Sequence, residues 1–285
     1  MVGRWRKPGF HMTPPAAHHV AGHFGELIQG RLGADGPVVL ISLPCPVLTV
    51  TATSTPAQRL SIHCPNGQIL TTAGAQKFLG LLGLQCHADI TLTSQMPLGG
   101  GAGSSTATLV ALAQHAGWTG LPDDLARACL AIEGATDPLM FDHAERLLWA
   151  SRNARIISHL PALPAFDVLG GFYGAVQPTD AADLNFPDIG DLINSWQNAA
   201  AARDLPGVAK LAATSAQRTL ALRGPNPDPT AQLALNLGAL GHVIAHTGSA
   251  RGLIYAPGCA PPAARAALER AGFTGIVQFS AGGGA

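Results

Sequence analysis

The sequence predicts an α+β fold in two parts, on three observations. Short β-type runs gather before residue 64, and a strand, a glycine-rich turn and a helix follow between residues 88 and 116. After residue 165 the order reads β, helices, β, β, α, β, which suits a ferredoxin-like sandwich. The proline-rich stretch Leu160-Pro-Ala-Leu-Pro164 breaks the pattern and marks a boundary. The expected division is an N-terminal domain over residues 20–160 and a C-terminal domain over 165–281.

Each element has a local reason. Residues 1–20 are rich in Pro and His and read as loose, with the His18-His19 pair in solvent. Val38-Val-Leu-Ile-Ser-Leu43, Leu48-Thr-Val-Thr-Ala-Thr53 and Leu60-Ser-Ile-His63 are β-type runs parted by turn residues, an antiparallel pattern. Ala75 to Leu84 is helix-like, with Phe78, Leu81 and Leu82 on one side. Ala88-Asp-Ile-Thr-Leu-Thr93 alternates as a strand does. Helices are expected over Ser105–Ala116 and Asp123–Ile132, the second opened by Pro122-Asp123-Asp124. Phe166-Asp-Val-Leu-Gly-Gly-Phe-Tyr173 restarts β structure. Helices are expected near 188–202, 206–221, 229–239 and 261–271. Strands are expected at His242–Ala245, Gly252–Ala256 and Gly275–Phe279, and Gly282-Gly-Gly-Ala285 reads as a frayed tail.

At 285 residues the chain can bury a full core. Charged residues make up 12%, against an average of about 25%, and the formal net charge is zero. The only lysines are Lys7, Lys77 and Lys210, so there is no basic field for nucleic acid. Any phosphate must be held by backbone N–H groups, helix ends, a metal ion and a few arginines. The five cysteines (Cys45, Cys64, Cys86, Cys129, Cys259) form no Cys-x-x-Cys pair, which argues against zinc and suits reduced thiols in a cytoplasm. The N-terminus carries charge without an apolar run behind it, so no signal peptide is expected. No apolar run is long enough for a membrane span.

Residues 97–107 read Pro-Leu-Gly-Gly-Gly-Ala-Gly-Ser-Ser-Thr-Ala and run into the apolar Thr108-Leu-Val-Ala-Leu-Ala113. Gly99, Gly100, Gly101 and Gly103 let a ligand approach the backbone. Ser104 and Ser105 stand where a helix would start with unpaired N–H groups. A glycine loop that feeds a helix N-terminus is an anion site, and phosphate is the usual anion. No Gly-Lys-Ser/Thr follows, so the loop is not a Walker motif, and its spacing is not that of a dinucleotide fingerprint.

Pro97-x-x-x-Gly101-x-Gly103-Ser104-Ser105-x-Ala107 resembles the second motif of the galactokinase, homoserine kinase, mevalonate kinase and phosphomevalonate kinase family, the GHMP kinases. That family usually has Leu where this chain has Ala102, and Ala where it has Thr106. The resemblance implies ATP and phosphate contacts at Pro97, Gly99, Gly100, Gly101, Ala102, Gly103, Ser104, Ser105 and Thr106.

Ala21-Gly22-His23-Phe24-Gly25-Glu26-Leu27-Ile28-Gln29-Gly30 places polar residues inside a glycine-framed apolar run. Taken alone it reads equally as a hairpin with Gly25 and Gly30 at turns. Ahead of a phosphate loop it is similar to the family's first motif, on the acceptor side, which implies substrate contacts at His23, Glu26 and Gln29. Sugar and mevalonate kinases carry a basic residue hereabouts, and here Arg31 is the near one. Ala245-His246-Thr247-Gly248-Ser249-Ala250-Arg251-Gly252 resembles the third motif, a turn between strands that abuts the phosphate loop. It makes Thr247, Gly248, Ser249 and Arg251 substrate-side candidates. The Arg251 guanidinium suits a phosphate or a carboxylate, or is simply solvated on a hairpin. Both strings are similar to those of the L-threonine kinases of cobalamin synthesis, the propanediol-utilisation type.

Phosphoryl transfer needs Mg²⁺ across the β- and γ-oxygens and a group that orients the attacking hydroxyl. Glu133, at the end of the helix after the phosphate loop, is the metal candidate, joined by the Ser105 hydroxyl as in better-known relatives. Asp137 is the candidate base, with Asp142 and His143 able to share the role. The usual family pattern, Pro-Ser-Gly-x-Asp about ten residues after the glutamate, is absent. Glu133-Gly-Ala-Thr-Asp137 instead resembles the Glu-Pro-Thr-Asp-Ser of threonine kinases. The plain alternative is two surface carboxylates four residues apart.

The resemblance spans residues 21–253 and implies an ATP- and Mg²⁺-dependent kinase of a small alcohol. It implies a first domain like ribosomal protein S5 domain 2, with the site between it and the ferredoxin-like domain. L-threonine is the expected acceptor, giving O-phospho-L-threonine for the nucleotide-loop linker. Homoserine, a sugar, or a non-catalytic nucleotide-binding regulator are the alternatives. Oligomeric state is not readable.

Overall fold

The computed structural model describes residues 17–176, 180–224 and 227–284. The expectation for residues 1–16, and for Ala285, lies outside them. The strands are β1 (His18–Arg31), β2 (Val38–Pro56), β3 (Ser61–His63), β4 (Ala88–Ser94), β5 (Leu147–Ala150), β6 (Arg155–His159), β7 (Phe166–Phe172), β8 (Gly241–Ile244), β9 (Ala250–Tyr255) and β10 (Thr274–Ala281). The helices are α1 (Thr72–Leu81), α2 (Ser104–His115), α3 (Pro122–Glu133), α4 (Gly190–Ala201), α5 (Leu205–Arg223), α6 (Thr230–Asn236) and α7 (Ala264–Arg270). One sheet runs in the order β10-β7-β9-β8-β1-β2-β4-β3, and the β5–β6 hairpin attaches to β2.

The C-terminal strands realise the ferredoxin-like pattern. In chain order they are β7, β8, β9 and β10. In space they lie as β10-β7-β9-β8, every neighbouring pair antiparallel. The Leu160–Pro164 stretch joins β6 to β7.

β1 is the element that sequence reasoning treated most loosely. It is one strand of 14 residues, and it pairs with β2 along one edge and with β8 at Glu26↔Ile244 on the other. Gly25 is therefore not a hairpin turn. It sits at φ +74 where the β1–β2 register slips, and a Cβ there would lie 2.7 Å from the Ile244 backbone. Glycine is used here for a bulge and a close backbone approach, both of which mimic turn signals in sequence. The strand also starts at His18, so residues 18–20 are ordered sheet rather than loose. His18 is half-buried, its Nδ1 3.1 Å from Nδ1 of His115.

Two further differences have simple causes. Val38–Leu43 and Leu48–Thr53 are one strand, β2, because the chain passes Pro44 and Pro46 at a register irregularity instead of turning. β3 lies parallel to β4, not antiparallel, since α1 intervenes as a crossover. The glycine tail is tied down as well: Gly283 N–H donates to the Leu163 carbonyl at 3.0 Å.

The main core draws on both halves. Phe24 of β1 makes edge contacts with Phe172 of β7 and Phe279 of β10, at centroid distances of 5.5 and 5.8 Å. α2 is buried on nearly all sides from Thr106 to Ala113, as a helix with an apolar surface all round must be. All five cysteines are free thiols. No helix among the described residues is long and apolar enough to cross a membrane.

Candidate active site

The glycine loop leaves β4 and enters α2. Gly103 is the N-cap of α2 at φ +74, and no side chain caps the helix. The first-turn N–H groups are thus left without a side-chain cap, the geometry that an anion site requires. Other motifs brace this loop through backbone contacts. His23 N–H donates to the Ala102 carbonyl at 3.1 Å, and Ala250 N–H donates to the Gly100 carbonyl at 2.9 Å. A Cβ on Gly248 would lie 2.1 Å from the Gly101 nitrogen, so the β8–β9 turn can press on the loop only as glycine.

A cavity of about 460 Å³ opens at this junction. Gly99, Gly101, Ala102, Gly103, Ser104, Ser105 and Thr106 border it from the loop and α2, His23 and Glu26 from β1, Glu133 from the end of α3, Asp137 from the loop after it, and Thr247 from the third motif. Ile69, Leu70 and Leu109 form an apolar side, with Gln68 beside them.

The remaining candidates are placed otherwise. Pro97 turns the loop, its carbonyl accepting from Gly100 N–H at 3.1 Å, and Gly100 packs against Phe172. Gln29 points away from the cavity and donates to the Ile244 carbonyl at 3.0 Å. Ser249 is buried, and its carbonyl accepts from Tyr173 N–H. Arg251 is neither solvated nor at the cavity. Its Nε bonds Asp228 at 2.9 Å, and its Nη1 donates to the carbonyls of Gly248 and Ala250. A buried guanidinium with these partners braces the turn. Arg31 is spent on the Gly36 carbonyl at 3.2 Å.

His23 supplies the local positive charge instead. Its Nε2 lies 3.3 Å from Asp137 Oδ2, and its Nδ1 lies 3.4 Å from Glu26 Oε1 and 3.3 Å from the Gly25 carbonyl. Burial works against a charged ring, but the Asp137 and Glu26 carboxylates outweigh it and raise the pKa to about 9. Burial also opposes charge on Asp137, yet His23 beside it, with Arg152 and Thr106, holds its pKa below the ordinary value. Glu26 goes the other way, pushed up to about 7 mainly by burial. The donor atoms of His23, Glu26 and Asp137 fall within 4.8 Å of one another, as in a metal triad. The ring presents Nε2 to Asp137 and Nδ1 to Glu26, and its raised pKa suits an imidazolium held between acids.

Glu133 suits a cation better. Burial pushes its carboxyl up to about 8, with the nearby Ser105 and Thr106 hydroxyls acting against the rise. Oε2 accepts from Thr106 Oγ1 at 2.8 Å, while Oε1 is buried with no partner. A buried carboxylate oxygen without a donor, next to a serine hydroxyl, is a fitting pair of hard ligands for Mg²⁺.

In sequence, residues 70–143 match the model for the GHMP kinases N terminal domain. That stretch holds the glycine loop, α2 and α3. The fold of the chain as a whole is the one seen in GHMP kinase structures. A homoserine kinase from Cytophaga hutchinsonii is similar at a TM-score of 0.59 and 17% identity, over 97% of this chain and 96% of that one. A putative homoserine kinase from Listeria monocytogenes gives 0.61 and 16%, over 93% and 94%. L. major mevalonate kinase, in complex with R-mevalonate, gives 0.62 and 13%, over 96% and 97%. No curated protein matches the chain in sequence.

Within this GHMP kinase fold, sequence reasoning did not single out Thr136, Ser151, Arg152 or His246 at the cavity, nor Trp149 behind it. Thr106, expected among the phosphate contacts, has a further link that its sequence did not signal: its hydroxyl bonds Glu133 and accepts from Asp137 N–H at 3.3 Å. Trp149 of β5 donates to the Thr136 carbonyl at 2.7 Å and Thr136 N–H donates to the Ser151 carbonyl at 2.9 Å, so the unforeseen β5–β6 hairpin sets the Asp137 loop. Arg152 and His246 complete the cavity wall. The polar pair Ser151-Arg152 at the end of an apolar run was the one available signal. Asp142 and His143 do not border the cavity, and His143 lies 3.4 Å from Glu145 instead.

Proposed function

We propose that this chain is an ATP-dependent kinase that phosphorylates the side-chain hydroxyl of a small amino acid, L-threonine first among them. The observation that carries the reading is one cavity bordered by an uncapped helix N-terminus, the Glu133 carboxylate and the Asp137–His23 pair. The loop and α2 would take the triphosphate, with the apolar side at Ile69, Leu70 and Leu109 suited to a base. Mg²⁺, held by Ser105 and Glu133, would neutralise charge on the phosphates. The acceptor oxygen attacks the γ-phosphorus, the bond to the β–γ bridging oxygen breaks, and ADP leaves with that electron pair. The hydroxyl proton passes to Asp137. An ionised Asp137 with a lowered pKa is a weak base, and a loose transition state asks for little more. Its main work is to hold the hydroxyl in line, with His23 fixing its position.

Threonine is favoured by the Gly25-Glu-Leu-Ile-Gln-Gly30 and His246-Thr-Gly-Ser-Ala-Arg-Gly252 strings, and with it a place in making the cobalamin nucleotide-loop linker. The division into domains over 20–160 and 165–281 belongs to the same reading. Homoserine is the second reading, favoured by the likeness to homoserine kinases. A coupled ADP-release assay over threonine, serine, homoserine and sugars decides between them. Threonine-dependent release supports the first reading. Turnover on another alcohol alone replaces the substrate, and no release with any alcohol removes the kinase reading.

A further inference from the structure

Arg152 stands in the turn between β5 and β6, on the acceptor side of the cavity with Ser151, His246 and Thr247. One edge of its guanidinium is fixed. Nη1 donates to Ser151 Oγ at 2.7 Å and lies 3.2 Å from His246 Nε2. His246 is itself clamped, stacked on Phe186 at a centroid distance of 3.9 Å and an interplanar angle of 10°. Phe186 also carries the Arg152 guanidinium over its ring at 5.3 Å. Burial, with the charges of Arg152 and Arg223, holds the His246 pKa well below its ordinary value. A neutral His246 accepts from Arg152 and keeps it in place.

The other edge makes no hydrogen bond among the described residues: Nε and Nη2 are both buried and unpartnered. These two N–H groups form the side-on fork that grips a carboxylate or phosphate with two parallel bonds. An arginine pinned on one edge and unsatisfied on the other is costly unless a ligand completes it. Arg251, the guanidinium that sequence reasoning favoured, is already occupied by Asp228 and two carbonyls.

We propose that the free fork of Arg152 binds the α-carboxylate of the acceptor, so that Arg152 makes the site selective for hydroxy amino acids over plain alcohols and sugars. This rests on the kinase reading. Asp137 holds the hydroxyl while Arg152, which lies close enough to Asp137 to influence its ionisation, takes the anionic end. The acceptor is thus fixed at two points across the cavity.

Paired acceptors test the proposal: L-threonine against 1-amino-2-propanol, and L-homoserine against 3-amino-1-propanol, each pair differing only in the carboxylate. Wild type is expected to use the carboxylate-bearing member at a KM at least about 10-fold lower. Arg152→Gln should raise that KM by about 10- to 100-fold and bring the two members of a pair close together. Arg152→Lys, which keeps the charge without the fork, should fall between and guards against a folding defect in the Gln variant. Undiminished preference in Arg152→Gln would overturn the proposal, as would wild-type indifference to the carboxylate. A raised KM for ATP or a lost kcat, with the threonine KM unmoved, would assign the fork to the transferred phosphoryl group and also overturn it. If no alcohol is phosphorylated, the kinase reading fails on its own. Calorimetric titration of L-threonine into wild type and Arg152→Gln then still decides the anion site, absent or equal binding counting against it.

Discussion

His23 Nε2 lies 3.3 Å from Asp137 Oδ2, joining the first strand of the sheet to the loop after α3. The contact holds a carboxylate and a cation together at the wall of the phosphate-loop cavity. It also makes the stability of the fold depend on pH in a definite sense. His23 is raised from 6.5 to about 9. Its stabilising contribution is therefore complete below pH 6.5 and is lost as pH rises through 9. Glu26, raised from 4.5 to about 7, adds a loss of the same sign at lower pH.

Thermal melts between about pH 7.5 and 9.5 read the histidine by difference from His23→Gln, since Glu26 is by then ionised and the Glu133 carboxyl, raised to about 8, titrates in both proteins. Wild-type Tm should fall across that window, and His23→Gln should melt lower but with a flatter profile. Each kcal/mol of linked stability moves Tm by roughly 2–4 °C at this chain length. Parallel profiles for the two proteins would show that the ring carries no charge in the native state.

Asp137→Asn keeps the shape of the side chain and removes its charge. We expect kcat to fall about 10²-fold, the lower end for loss of a general base, with the Mg²⁺ requirement unaltered. A wild-type rate would free Asp137 of any role in turnover. Asp142 is not the natural fallback, since it does not border the cavity.

Glu133→Gln should raise the Mg²⁺ concentration for half-maximal activity sharply, because one of few anionic ligands is lost. Thr106 orients that carboxylate through a 2.8 Å hydrogen bond. Thr106→Val should therefore raise the Mg²⁺ requirement by about 10- to 100-fold, and Thr106→Ser should restore it. Failure of serine to rescue would mean that Thr106 acts through packing.

Gly103→Ala should lower both Tm and affinity for a nonhydrolysable ATP analogue. Its φ of +74 disfavours a side chain, and the added Cβ would lie 2.6 Å from the His23 ring. Gly117→Ala is the control, with φ +87 and no heavy atom within 4 Å of the added Cβ. It should lower Tm alone. Unchanged analogue affinity in Gly103→Ala would contradict the loop assignment.

The sequence by itself determined the features that short stretches of chain encode. The glycine run and Ser104-Ser105 specify a tight turn into an uncapped helix start, because the geometry needs only local backbone freedom. Strand and helix order after residue 165 followed from local periodicity, and so did α3, begun by Pro122 and closed at Gly134. Tertiary structure decided whatever depends on a partner distant in sequence. Gly25 looks the same in a turn and in a bulge, and only the backbone of Ile244 pressing on it distinguishes the two. Arg251 and Arg152 are chemically identical, but Asp228 occupies one and leaves the other with an open edge. The charge on His23 is set by Asp137 and Glu26 across a buried space, and Thr106 becomes a polar link only where α2 meets the end of α3. Local sequence fixes backbone conformation through propensity. The ionisation and availability of a side chain are fixed by what the fold brings within a few ångströms of it.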